Sequence, residues 1–123
     1  GYEFSEDDIE SIAQIAAANG SSFEAFNEPV KAVRDADVIY TDTWISMGQE
    51  ADSTRRIQDF EAYQVNTNLL KYANRNAIVM HCLPAHRGQE LTNEVMDGTH
   101  SVVFDQAENR LHAQKAILVK LMA

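Results

Sequence analysis

At 123 residues, with 45% hydrophobic and 24% charged side chains, the chain has the size and composition of one globular domain with a core of its own. Nineteen acidic against ten basic residues give a formal net charge of −9, which argues against a nucleic-acid partner and favours a cationic substrate over an anionic one. No apolar run approaches the ~20 residues that cross a bilayer, and no secretory pattern precedes the first helix, so a cytoplasmic protein without a membrane partner is expected.

Ser5-Glu6-Asp7-Asp8 has the form of a capping box, and Ile9, Ile12, Ala13 and Ala16 follow at helical spacing until Asn19-Gly20. Residues 22–26 alternate and predict a strand. Asn27 predicts the cap of a short helix with Pro29 in its first turn and Val30 and Val33 facing inward. Residues 37–42 predict a buried strand, 45–51 a polar loop containing Gly48, and 52–62 and 67–73 helical stretches, the second capped by Asn66 or Thr67. A further strand is predicted at 77–81, then a loop over 84–88, a brief helix from Thr92 to Gly98, a short strand at 101–104 and a final helix from about Glu108 to Leu121. Strands alternating with helices imply βαβ units and a mostly parallel sheet. The expected class is α/β: an incomplete Rossmann-like, doubly wound domain of about four strands flanked by helices.

Two segments carry the chemistry. Asp42-Thr43-Trp44-Ile45-Ser46-Met47-Gly48 and His81-Cys82-Leu83-Pro84 each leave a buried strand, and loops at the carboxyl ends of parallel strands line the ligand crevice in such sheets. Asp42 can hold a substrate ammonium or serve as a turn cap. Ser46 is an ordinary turn residue apart from its place four residues beyond Asp42, and Trp44 suits packing better than ligand stacking. Cys82 is either an inert thiol or a reactive one. A dyad with His81 is disfavoured, because neighbours in a strand point to opposite faces. The single cysteine forms no internal disulfide and fits a reducing compartment. His81, Cys82, His86, His100 and His112 have no standard metal-ligand spacing. Gly20 and Gly48 make no phosphate-binding motif, so neither a metal nor a nucleotide cofactor is expected. Arg110, placed near the start of the last helix, is an unusual position for a cation and suggests a bound anion, or an ion pair with Asp105 or Glu108.

Taken in order, three segments resemble the ornithine carbamoyltransferase family: Asp42 through Glu50, His81-Cys82-Leu83-Pro84, and Ala107-Glu108-Asn109-Arg110. The resemblance runs along nearly the whole chain. Within the wider group the aspartate enzyme has proline where Cys82 stands, and the putrescine enzyme lacks the Ser-Met-Gly segment, so ornithine is the implied amine. The family implies that Asp42, Ser46 and the backbone of Met47 bind the α-amino end of ornithine. Cys82 and Leu83 would stand where the δ-amine meets the carbamoyl carbon, and Arg110 would help hold carbamoyl phosphate. Asp42 and Cys82 would take part in catalysis, and no cofactor is implied.

The family's Ser-Thr-Arg-Thr-Arg phosphate loop and His-Pro-Thr-Gln segment do not occur in this sequence. The resemblance therefore implies a single partial domain over 1–123, the carboxy-terminal ornithine-binding part of such an enzyme without its carbamoyl-phosphate domain. On its own this part is expected to be inactive, with only Arg110 and Arg87 to offer a dianion. A homo-oligomer is expected. The strand at 22–26 should either move in beside 37–42 or be exchanged between two copies in a dimer, leaving a self-associating scaffold as the non-enzymatic alternative.

Overall fold

The computed structural model describes residues 2–46 and 48–123, leaving the side chain of Glu50 aside. Helix α1 (Glu6–Ala18) begins where Ser5 Oγ accepts the Asp8 N–H at 3.1 Å, with Glu6, Asp7 and Asp8 at the positive end of the helix dipole. It buries no residue fully, although Ile12 and Ala16 are half-covered. Pro29 opens α2 (Pro29–Val33) as expected, but the N-cap is Glu28 rather than Asn27, with no side-chain cap bond. Of Val30 and Val33, both expected to face inward, only Val33 is buried, and Val30 is 36% exposed.

The sheet has two strands among the described residues, β1 (Val38–Thr41) and β2 (Ile78–His81), paired in parallel from Val38 with Ile78 through Thr41 with His81. Between them lie α3 (Ser53–Phe60), flanked by 3-10 turns at Glu50–Asp52 and Glu61–Tyr63, and α4 (Thr67–Leu70). Asn66 caps α4, its side chain accepting the N–H groups of Asn68 and Leu69 at 3.1 and 3.0 Å. After β2 come α5 (Asn93–Met96), with Thr92 at its N-cap, and α6 (Val103–Met122).

Two of the four expected strands are not formed. Residues 22–26 have the alternation of a strand but no neighbour to pair with, and strand preference is realised only against a partner. They do not move in beside β1. At 101–104 the β-branched pair Val102-Val103 misleads. Val79 N–H donates to His100 C=O at 2.7 Å and Val102 N–H to Val79 C=O at 3.0 Å, a single bridge centred on Ser101. The chain then turns helical at Val103, whose side chain is fully buried in the core. α6 therefore starts five residues before the expected Glu108. That core joins Ile39 and Val79 of the sheet to Val65, Leu69, Leu91, Val95 and Val103, and His81 at the carboxyl end of β2 is fully buried.

Candidate active site

The strand register decides what meets at the edge of the sheet. Thr41 pairs with His81, so the next residues, Asp42 and Cys82, leave their strands side by side. Cys82 Sγ donates to Asp42 Oδ1 at 2.9 Å, and Thr43 N–H donates to the same oxygen at 2.7 Å. Among the described residues no hydrogen bond engages Asp42 Oδ2, and the residue is open to solvent. The Cys82 thiol, followed by the Thr43 amide, holds the Asp42 carboxyl below the usual carboxylate range. The same bond, then burial and the carboxylate's charge, push the Cys82 thiol up, opposed by Tyr40. The pair is thus a fixed anion capped by a neutral thiol near neutral pH, not a thiolate nucleophile.

His81 turns the other way, as strand alternation requires. It is fully buried, with Nε2 3.1 Å from Glu90 Oε1 and Nδ1 accepting the Leu83 N–H at 2.8 Å. Leu83 has φ of +55° and is joined to Pro84 by a cis peptide bond. Arg110 Nη1 donates to the Cys82 carbonyl at 3.2 Å. The expectation that Arg110 lies in the first turn of the last helix is not met: α6 begins at Val103, so Arg110 is two turns inside it and its side chain reaches back to β2. It pairs with the Cys82 carbonyl rather than with Asp105 or Glu108. Arg87, the other cation proposed for a dianion, is engaged bidentately by Asp97 at 2.6 and 2.8 Å and also donates to Asn93.

The loop after β1 is braced from three sides. Thr43 Oγ1 donates to Ile45 C=O at 3.2 Å and lies 3.0 Å from His86 Nδ1, tying this loop to the one after β2. Arg56 Nε donates to Trp44 C=O at 2.6 Å, and Trp44 is buried against Phe60 with ring centroids 6.1 Å apart, a packing role. Ser46 N–H donates to Gln49 Oε1 at 3.1 Å, leaving Ser46 exposed at the loop tip. Met47, expected at the amine, lies outside the described residues. Among the described residues no three His, Cys, Asp or Glu groups are arranged to hold a metal.

Sequence reasoning missed Gln106 and Glu90. Gln106 Oε1 accepts the His81 N–H at 3.0 Å while its Nε2 donates to Tyr40 OH at 3.2 Å, so one α6 side chain joins both strand ends. Its place directly before Ala107-Glu108-Asn109-Arg110 was a usable signal. Glu90 sits nine residues past His81, a spacing that matches no helical or strand period.

The assembled edge sets an exposed carboxylate against a thiol, with an arginine on the carbonyl of the thiol-bearing residue. Residues 1–121 match the family model described as aspartate/ornithine carbamoyltransferase, Asp/Orn binding domain. The chain belongs to the aspartate/ornithine carbamoyltransferase family. It is 57% identical over 122 residues to the anabolic ornithine carbamoyltransferase of Pyrococcus furiosus, an alignment covering 99% of this chain and 39% of that protein. The structure of ornithine carbamoyltransferase from Pyrococcus furiosus superposes with a TM-score of 0.87 at 58% identity, over 96% of this chain and 38% of that one. Anabolic ornithine carbamoyltransferase from Campylobacter jejuni gives 0.89 at 37% identity, over 98% and 40%. The chain thus spans about two fifths of the length of these carbamoyltransferase relatives, and its class is α/β and Rossmann-like. No helix of the described residues is long and apolar enough to cross a membrane.

Proposed function

We propose that this chain serves in carbamoyl transfer from carbamoyl phosphate to the δ-amine of ornithine, giving citrulline and phosphate in arginine biosynthesis, as the ornithine-binding part of a cytoplasmic enzyme. The observation that carries this reading is the Asp42–Cys82 pair at adjacent strand ends. In this reading Asp42 Oδ2 receives the α-ammonium of ornithine, Ser46 and Met47 complete that subsite, and the thiol of Cys82 with the backbone of Leu83 faces the δ-amine. The amine must be neutral to attack. Its nitrogen then bonds to the carbamoyl carbon, the carbon–oxygen bond to phosphate breaks, and the amine proton passes to the departing phosphate. Asp42, kept charged, and Cys82, kept as a thiol, contribute orientation and electrostatics rather than a titrating base. Arg110, which uses one of its five donors on Cys82, has others to give the carbamoyl phosphate oxygens.

A carbamoylation assay offering ornithine, aspartate and putrescine to a full-length enzyme carrying these residues tests the reading. Citrulline is the expected product, and preference for aspartate would overturn it. The 123 residues alone should form none; citrulline at a rate scaling with this polypeptide would contradict the division of labour. A second reading, a self-associating scaffold, is favoured by β1, whose far edge pairs with nothing described while Val38 and Tyr40 stand about half exposed. In it two copies exchange segments across that edge.

A further inference from the structure

We propose that His81 and Glu90 are positioning residues that fix the plane of the Cys82–Leu83 peptide and so hold the Cys82 thiol on Asp42. The role in catalysis rests on the function proposed above; the geometry does not.

The Leu83 amide can only donate, so His81 Nδ1 must accept, and the ring carries its proton on Nε2. That proton is donated to Glu90 Oε1, and the same oxygen accepts the His86 N–H. Glu90 is fully buried, and its Oε2 has no partner among the described residues. A buried carboxylate is costly, and here its bonding is concentrated on one oxygen that orients one ring. On the opposite side of the same peptide, Arg110 Nη1 donates to the Cys82 carbonyl. In a trans peptide N–H and C=O point in opposite directions within one plane, so both bonds are met at a single orientation. A restraint is needed there, because Leu83 stands at φ of +55°, which a side chain larger than glycine adopts at a cost. With the plane fixed, the Cys82 side chain leaves its Cα in the direction of Asp42, 2.9 Å from thiol to carboxylate.

Cys82 is the chain's single cysteine, so its reaction rate with an aromatic disulfide reports this geometry without any substrate. Around the thiol stand Asp42 and Tyr40, with Arg110 on the Cys82 carbonyl. Two variants separate the halves of the relay. His81→Asn puts an amide oxygen near the place of Nδ1 and keeps an acceptor for Leu83, whereas His81→Gln reaches towards Glu90 and removes that acceptor. Both lose a ring of the same size. The thiol should react within about twofold of wild type in His81→Asn and at least about threefold faster in His81→Gln, where it is released from Asp42. Equal rates in the two, or the faster rate in Asn, would overturn the proposal. Glu90→Gln, which retains an oxygen for both donors, should restore the slow rate that Glu90→Ala loses; a Gln variant as fast as Ala also overturns it. Should every variant unfold, the 15N shifts of the wild-type ring decide: a proton on Nδ1 refutes the relay, and one on Nε2 alone supports it. A full-length enzyme carrying these residues that failed the citrulline assay, while the thiol gave these rates, would reject the function and leave the positioning intact.

Discussion

Asp42→Asn isolates what the carboxylate charge does to the thiol. The asparagine oxygen can still accept from Cys82 Sγ and Thr43 N–H, which lie 2.9 and 2.7 Å from Asp42 Oδ1, so the geometry survives and the charge goes. A hydrogen bond to a charged group contributes about 1.5–3 kcal/mol and a neutral one about 0.5–1.5 kcal/mol, so the preference for the protonated thiol weakens by about 1 kcal/mol. That corresponds to about fivefold more thiolate at a given pH below its titration. The freed thiolate is less basic, and nucleophilicity falls with basicity with a coefficient of about 0.4–0.5, which removes nearly half of the gain on a logarithmic scale. The expected net effect is a rate about two- to threefold above wild type near neutral pH. In alkaline solution, where both thiols are ionised, the order reverses and the variant becomes the slower. The assay is the second-order rate with an aromatic disulfide across that range. A variant slower than wild type at neutral pH, or without the crossover, would refute the reasoning. Linkage gives a second reading. A raised thiol pKa contributes stability below the ordinary value of about 8.5 that is lost as pH rises through the folded one, and Asn should flatten that loss. The lowered Asp42 pKa contributes above about 3.9 and is lost as pH falls through its folded value, a loss the variant should not show.

Leu91→Ala empties a fully buried site and should lower stability by about 2–5 kcal/mol in urea unfolding; a loss under about 1 kcal/mol would mean the core there is not closed. Gly98→Ala would place a Cβ 2.5 Å from the Glu94 carbonyl oxygen, a backbone atom that cannot step aside, so about 1–3 kcal/mol should be lost, and an unchanged midpoint would contradict the close approach. In a full-length carbamoyltransferase carrying these residues, Arg110→Ala should weaken carbamoyl-phosphate binding at least about tenfold and ornithine less, with Asp42→Asn showing the opposite bias; separate binding titrations decide, and equal losses would sink both assignments. Sedimentation across a concentration series tests segment exchange, and a compact monomer at high concentration rules the dimer out.

What was legible in the sequence follows from which signals are local. The apolar runs before Asp42 and Cys82, the Ser5 and Asn66 caps and the α/β alternation are written in neighbouring residues and reappear in the structure. The strand at 22–26 failed because a strand needs a partner that no local pattern supplies. Val102-Val103 failed because tertiary burial of Val103 overrides β-branched preference. That error moved the start of α6 and with it the argument from Arg110 to a helix end. The meeting of Asp42 with Cys82 was foreseen as a shared sheet edge. The bracing by Glu90 and His86 depends on long-range register and lay beyond any spacing rule, whereas Gln106 was missed although it directly precedes Ala107-Glu108-Asn109-Arg110.

The length of α6 has a consequence for cooperativity. Its first two turns are bound to the body through Val103, Gln106 and Arg110, whereas Leu111, Ile117, Val119, Leu121 and Met122 are all more than half exposed. An isolated helical stretch of about a dozen residues is marginal in water. In the monomer the amides beyond Arg110 should therefore exchange with solvent through local fraying, at opening energies far below that of global unfolding. An exchange map would show a step at Arg110, dividing one helix between two cooperative units.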